Sequence, residues 1–483
     1  MAHLVTIGGS DAGISAALRA RELDPTTEVT VLVADDYPNF SICGIPYHVS
    51  GEVPTIADLA HRTGKDLAAA GLTVLRRTLA TSIDATTHTV TVRTPEGTTR
   101  VIDYDSLVIG TGATSMVPPI AGLRGEGALG PTDGVHTIRT IDDTRAVVAD
   151  LDRHPGGRAV IVGAGYIGLE MAEGLVGRGM SVTQVEALPE VLSTVDAELG
   201  SLVHAELVRH GVDVHTATTV DRISRDDDGL RLAASGPEGP RTFRADLVVV
   251  VVGVRPDTRL AVEAGVPTGA KGALVVDDHL RTALPDVYAA GDCAETHHRL
   301  LGTTWLPLGT TAHKQGRIAG ANAVGADVTF PGIVGTQVVK VFDLVIARTG
   351  LRDHEAGNAG RGWSPLTVAT TADDHKRYYP GATPLHLRIT GDRTSGRLLG
   401  AQLVGQRGAE VAKRVDTYAT ALFHEMTVAG LSDLDLSYTP PLGAPWDAVQ
   451  VATQAWEAAA RSRTGDQSQV VTTWGTMNRR PTD

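Results

Sequence analysis

Cysteine is nearly absent from this chain: two residues in 483, Cys43 and Cys293, lie far apart in sequence. That excludes a disulfide scaffold and a local dithiol pair, and it points to a reducing compartment. Aromatic residues make up only 4% while glycine reaches 54 residues, which suits an α/β protein rich in tight strand-to-helix turns. Basic charge is in deficit. A net charge of −13 argues against a nucleic-acid footprint. The longest apolar run, Leu247 to Val252, is too short to span a bilayer, and Met1 to Ile7 lacks the basic n-region of a signal peptide. The expectation is a soluble cytoplasmic protein with no nucleic-acid partner, no membrane partner and no metal site.

What is present is one design used twice. Leu4 to Ile7 leads into Gly8-Gly9-Ser10-Asp11-Ala12-Gly13, a helical pattern over Ile14 to Leu23, and a strand over Val29 to Val33. About 155 residues later, Ala159 to Val162 leads into Gly163-Ala164-Gly165-Tyr166-Ile167-Gly168, a helix through Val176, and a strand over Ser181 to Val185. Each reads as a buried parallel strand, a glycine turn and a crossover helix, whose first N–H groups favour a pyrophosphate. Two such units in context predict two dinucleotide sites.

The second strand ends at Glu186, 18 residues past Gly168, where a carboxylate can accept both ribose hydroxyls. No arginine follows in Ala187 to Glu190 to meet a 2′-phosphate, so NADH is favoured, with NADPH possible. The first site departs from the fingerprint. Ser10 holds the middle glycine position, Val33 stands where the carboxylate belongs, and Asp35 or Asp36 is the substitute.

Further motifs follow in order. Ser41-Ile42-Cys43-Gly44-Ile45-Pro46-Tyr47 carries a cysteine with no cysteine neighbour. Tyr104 to Ala113 reads as a strand ending in the Thr111-Gly112 turn. Asp246 to Val252 with Gly253 is a second such strand, and Asp286 to Ala294 holds Gly291-Asp292. An amphipathic helix is expected over Ala312 to Ala323. Beyond about residue 326 the alternation over Val338–Phe342, Pro384–Ile389 and Leu398–Val404 predicts an antiparallel sheet, with a helix over Val411–His424. From about Arg461 the chain is polar and is expected to be poorly ordered.

These motifs, in this order, resemble the pyridine nucleotide–disulfide oxidoreductase superfamily, and within it the single-cysteine branch of coenzyme A–disulfide reductases, persulfide reductases and NADH oxidases. The resemblance spans about residues 3 to 452. It implies two Rossmann-like domains and a C-terminal α+β dimerisation domain. FAD is expected on 1–114 and 240–325, NAD(P)H on 115–239, and dimerisation on 326–460, with a tail over 461–483. It further implies that Gly8, Ser10, Asp11, Ala12, Gly13, Asp35 or Asp36, Ser41, Thr111, Gly112, Gly253, Gly291 and Asp292 serve FAD. Gly163, Gly165, Tyr166, Ile167, Gly168, Glu170 and Glu186 serve the nicotinamide nucleotide.

Cys43 is then the redox-active residue. Tyr378, Tyr379 and Tyr438, from Tyr378-Tyr379-Pro380-Gly381 and Tyr438-Thr439-Pro440-Pro441, reach it from the partner of a homodimer. The oxidase branch carries a histidine in the first glycine turn; the matching residue here is Asp11, which as a carboxylate donates no proton unless burial raises its pKa. Cys293 reads as packing, and His48 and His424 as structural or solvated.

An unperturbed thiol titrates near ~8.5, so half-ionisation of Cys43 at pH 7 needs roughly 2 kcal/mol. Pro46 places Cys43 just before a helix N-terminus, a source of about 0.3–2 kcal/mol, and an adjacent oxidised flavin is expected to supply the rest. The expected substrate is a low-molecular-weight disulfide or persulfide of the coenzyme A disulfide kind. Arg19, Arg21 and Arg62 are candidates for a coenzyme A phosphate. An NADH oxidase cycling through cysteine sulfenic acid and a flavin redox sensor or scaffold are the alternatives.

Overall fold

The computed structural model describes residues 1–462 and 472–473. The expectation of poor order beyond Arg461 falls, apart from Ser462 and Thr472–Thr473, outside the described residues. The apolar strands assemble into two parallel five-stranded sheets. The first runs Val287–Ala289, Ser106–Ile109, His3–Ile7, Glu28–Leu32, Leu72–Leu75, and the second runs Asp213–His215, Ser181–Val185, Arg158–Val162, Leu247–Val250, Val135–His136. Leu4, Val5, Val29, Val31, Leu107 and Val108 are buried in the first, and Val160, Ile161, Val248 and Val249 in the second, as parallel strands covered on both faces must be. Small antiparallel sheets over 79–103 and 219–245 flank them.

Strand pairing moves one expected boundary. Leu247–Val250 hydrogen-bonds alongside Arg158–Val162, and Gly239–Ala245 pairs within the 219–245 sheet. Residues 239–250 therefore belong with the second sheet, not with 1–114. The chain leaves the first unit along Ala113–Ser115 and returns along Val254–Pro256, two strands paired antiparallel. The break lies near residue 253 rather than 240.

The third sheet is antiparallel, in the order Gln337–Val341, Leu344–Gly350, Leu398–Gln406, Pro384–Asp392, Pro365–Asp373, with Thr472–Thr473 at its edge. Helices Val411–Phe423 and Ala448–Arg461 pack on it through buried Tyr418, Leu422, Ala452 and Trp456, whose indole N–H donates to Leu366 O at 2.8 Å. This unit is bolted to the second sheet's unit. Arg352 donates to Ser193 O at 2.8 Å, and Arg348 to Thr194 O at 2.7 Å.

All three turns of the first sheet that matter here leave the carboxyl ends of parallel strands, the edge where ligands bind in such sheets: Gly8–Gly13, Gly110–Gly112 and Gly291–Asp292. Helix Gly309–Ala323 lies along helix Asp11–Leu23. A Cβ on Gly316 would overlap Ala12 O, and one on Gly320 would overlap Ala16 O, so glycine is what permits this approach.

Candidate active site

Cys43 lies in the turn Ile42–Gly44 that enters the six-residue helix Ile45–Ser50. Pro46 sits in that helix's first turn, and Ile45 and Val49 are buried against helix Tyr166–Gly177 of the second unit. The Tyr47 hydroxyl donates to Glu170 Oε1 at 3.3 Å, and Arg178 donates to Val49 O at 3.3 Å, so the cysteine's helix is clamped between the two parallel units. Ser41 holds the other side, its N–H donating to Leu59 O at 2.7 Å. Cys43 is exposed. Cys293, at 0% exposure, packs against the carbonyls of Ile109 and Ala290.

The electrostatics around Cys43 correct one expectation. Burial pushes the thiol up from its ordinary value, and the carboxyls of Asp11, Glu170 and Asp292 push the same way, with the Arg139 guanidinium opposing them. The helix Cys43 precedes is only six residues long, so its dipole is small and its influence ends within the first turn.

The first glycine turn is as the sequence predicts. Ser10 is the N-cap residue of helix Asp11–Leu23, without a side-chain capping bond, and Ala12 and Gly13 are buried behind it. Gly8 takes φ +118°, and a Cβ there would overlap Gly110 O. Asp36 is engaged by Arg77 Nε at 2.6 Å, whereas Asp35 is held by Tyr37 N–H at 2.9 Å with its carboxyl raised by burial. Of the two, Asp35 is the one without a cationic partner.

Thr111 donates to Asp257 O at 2.6 Å, and Gly112 O accepts from Asp257 N–H at 2.9 Å. Gly291 N–H donates to Gln315 Oε1 at 2.8 Å. Asp292 accepts from Arg139 at 2.9 Å. Gly253, φ +115°, stands at the crossing between the units, its carbonyl accepting from Met116 N–H at 2.9 Å.

In the second glycine turn Gly163 takes φ +108°, Gly168 packs against Gly163 O, and a Cβ on Gly165 would meet nothing within 4 Å. Glu186 spans the strand end: one oxygen accepts from Ala164 N–H at 2.6 Å and the other from Leu188 N–H at 2.8 Å. Tyr166 accepts from Thr194 at 3.1 Å, and Ile167 is half-buried beside it. Burial lifts the Glu170 carboxyl to about 7.

Tyr378, Tyr379 and Tyr438 stand exposed at the margin of the third sheet. The segments carrying them are joined by Lys376 N–H donating to Pro440 O at 3.2 Å. Arg21 is not free to meet a phosphate, because it donates to Thr27 O at 2.8 Å and to Pro25 O; Arg19 pairs with Glu22 at 2.8 Å. His48 Nδ1 donates to Val53 O at 2.8 Å, and His424 is exposed on the third unit.

Four residues near Cys43 escaped the sequence reading. Arg139 reaches Asp292 from the second unit, Tyr47 follows Cys43 by one helical turn, and His61 and His313 lie beside Asp11. Only Tyr47 had a sequence signal, its place directly after Pro46.

With a lone accessible thiol set between two glycine-turn sheets, the comparisons with known proteins decide the family. The pyridine nucleotide-disulphide oxidoreductase family matches residues 2–316, and that family's dimerisation domain matches residues 336–449. The chain belongs to the pyridine nucleotide-disulphide oxidoreductase family. It is an oxidoreductase using NAD(P)H. It is 34% identical over 450 residues to an NAD(P)H sulfur oxidoreductase (CoA-dependent) of Pyrococcus abyssi, covering 93% of this chain and 96% of that one. It is 30% identical over 454 residues to an NADH oxidase of Methanocaldococcus jannaschii, covering 93% and 97%. The solved structure of an NAD-dependent persulfide reductase from A. fulgidus superposes with a TM-score of 0.88 at 36% identity, over 95% of this chain and 83% of that one. No helix among the described residues is long and apolar enough to cross a membrane.

Proposed function

We propose that this member of the family is an FAD-containing, NADH-dependent reductase of a low-molecular-weight disulfide or persulfide, with Cys43 as its redox-active residue. The observation that carries the reading is one exposed thiol, Cys43, with the other cysteine, Cys293, fully buried against the carbonyls of Ile109 and Ala290. Such a site forms a mixed disulfide with one substrate sulfur and no internal disulfide.

The residues fit the two nucleotides. Glycine turns whose Cβ positions would overlap neighbouring backbone at Gly8 and Gly168, and open space at Gly165, leave room for a pyrophosphate at each helix start. FAD is assigned to 1–114 and about 254–325, the nucleotide to 115–253, and dimerisation to 326–460. Gly8, Ser10, Gly13, Asp35, Thr111, Gly112, Gly291 and Asp292 would hold FAD. Gly163, Gly165, Gly168 and Glu186 would hold NADH, the Glu186 carboxylate repelling a 2′-phosphate. When bound, the flavin supplies two-electron transfer from the nicotinamide to sulfur. A free thiol such as Cys43 suits a reducing, cytoplasmic setting.

Cys43 attacks the substrate sulfur as a thiolate. Tyr378, Tyr379 and Tyr438, exposed on the dimerisation unit, would close the site of the other subunit of a homodimer and offer hydroxyls to the leaving sulfur. The relative named for CoA-dependent sulfur reduction supports a coenzyme A-linked substrate. Anaerobic titration with NADH tests the reading. Cys43→Ser should keep its flavin and its ferricyanide reduction, and lose disulfide and persulfide turnover by about a hundredfold or more. Full retention of disulfide turnover overturns the proposal.

A second reading, NADH oxidase, is favoured by Asp11, whose carboxyl burial raises, the direction that favours its proton-bearing form. Oxygen consumption matching NADH oxidation, with water as product, would select it.

A further inference from the structure

Three side chains of metal-ligand type meet beside Cys43, and the reading above gives them no use. Asp11 opens helix Asp11–Leu23, and His313 lies near the start of helix Gly309–Ala323. The close approach of these helices at Gly316 and Gly320 brings their starts together. His61 arrives from the Cys43 side. Its N–H donates to Asn39 O at 2.9 Å, and Ser41 N–H donates to Leu59 O at 2.7 Å, so residues 59–61 are pinned along the segment that leads into Cys43. One ligand atom from each of the three, a carboxylate oxygen and two imidazole nitrogens, lies within 4.8 Å of the other two. No sequence motif announces the group, because its members stand far apart in the chain.

The spacing suits ligands better than a hydrogen-bonded pair. His313 Nε2 stands 3.3 Å from Asp11 Oδ1, beyond the roughly 2.7–3.2 Å of a good N–H···O bond. Two ligands bonded tetrahedrally to zinc at about 2.0–2.2 Å stand roughly 3.3–3.6 Å apart. The other ring nitrogen, His313 Nδ1, lies 3.0 Å from Ser15 Oγ. With Nδ1–H donating to that hydroxyl, Nε2 keeps its lone pair and faces Asp11, the arrangement by which an outer partner orients a metal-bound imidazole. His61 is the exposed member and closes the remaining distance by rotation of its side chain.

The charges agree with the spacing. Among the described residues Asp11 pairs with no lysine or arginine, and the nearby Arg139 is taken by Asp292 at 2.9 Å. Burial disfavours a bare charge on Asp11, and a dication would compensate it. Two other carboxylate–imidazole groups lack these features. Arg209 already holds Glu206 and Asp343 beside His210, at 2.7 and 2.6 Å, while Asp277, Asp278 and His279 are chain neighbours with both carboxylates exposed.

We infer that Asp11, His61 and His313 form a binding site for one divalent transition-metal cation of the zinc class, with water completing its shell. Two imidazoles and a carboxylate favour such ions over magnesium and calcium, which take oxygen ligands. The ion stands beside the proposed redox-active residue: Asp11 Oδ2 and Cys43 Sγ both lie within 4.0 Å of the point a Cβ on Gly309 would occupy. The site does not depend on the reductase reading, since its three ligands are the same whatever Cys43 reduces.

Zinc itself is the probe, dialysed to equilibrium against flavin-loaded Cys43→Ser protein in thiol-free buffer and counted by atomic absorption. The Cys43→Ser background removes direct capture by the thiol. The tightest-bound zinc should amount to one per chain, and an excess of magnesium should leave it in place. Adding His61→Ala or His313→Ala should weaken its binding by at least about tenfold, the cost of losing even an outer partner. His210→Ala and His279→Ala, in the two other groups, should leave it unchanged. Flavin content and ferricyanide reduction report intact folding, and His61, being exposed, gives a variant that tests the site without disturbing the core. No bound zinc, displacement by magnesium, or undiminished affinity in either the His61 or the His313 variant overturns the inference, as does a loss confined to the His210 or His279 variant. The reductase reading stands in each case, because disulfide turnover by the wild type decides it separately.

Discussion

Glu170 carries a carboxyl that burial lifts to about 7, with Glu173 adding to the rise and the Tyr47 hydroxyl and Lys340 acting against it. Its ordinary value is 4.5, so between the two the folded protein binds more protons than the unfolded chain. Stability from this group is therefore present at low pH and lost as pH rises through the folded value. Glu170→Gln removes the penalty. From pH 5 to pH 8 the variant should gain about 2 to 3 kcal/mol relative to wild type, read from paired urea unfolding curves. A constant difference across that range would mean the carboxyl titrates normally. Residues of this kind separate what a sequence displays from what it hides. Cys43, Glu186 and the glycine turns are legible because their chemistry needs neighbours adjacent in the chain. His61, Arg139 and His313 meet Asp11 and Asp292 through tertiary packing, and no spacing announces that.

At the scale of elements, the helix pair Asp11–Leu23 and Gly309–Ala323 sets the site, because it fixes where Asp11 and Gly309 stand relative to Cys43. Gly320→Leu would drive a side chain into Ala16 O, at a cost of about 1–3 kcal/mol from overpacking, and would force the helix starts apart. The expected outcome is a lower melting temperature together with reduced flavin content. Gly177→Ala is the contrast. It lies at the end of a helix with nothing within 4 Å of its Cβ position, and should stabilise by about 0.5–1 kcal/mol. Most elements are legible from pattern: Ser181–Val185 falls where the repeated strand–turn–helix design puts it, and Val411–Phe423 ends one residue short of the expected helix. Leu247–Val250 is the instructive exception. A run of valines says that a strand is buried on both faces, but not between which neighbours, so its place in the second sheet emerges only from pairing with Arg158–Val162.

The whole molecule presents an apolar surface that a lone chain has no reason to expose. Tyr378 is 73% exposed, Leu442 75% and Trp446 58%, all on the two linked segments that also carry Tyr379 and Tyr438. Large aromatics at this exposure, grouped at one margin of the domain matched by the family's dimerisation model, are the composition of an interface core. If that surface is the seam of a homodimer, charge placed at its centre must separate the subunits, since an unpaired buried carboxylate costs several kcal/mol. Leu442→Glu combined with Trp446→Glu should sediment as a monomer where the wild type sediments as a dimer. The monomer retains both nucleotide-turn units and Cys43, so ferricyanide reduction by NADH should continue. Disulfide turnover should fall steeply if, as proposed, the tyrosines of one subunit close the site of the other. A variant that stays dimeric would place the seam elsewhere, and a monomer that reduces disulfides at the wild-type rate would show that each chain completes its site alone.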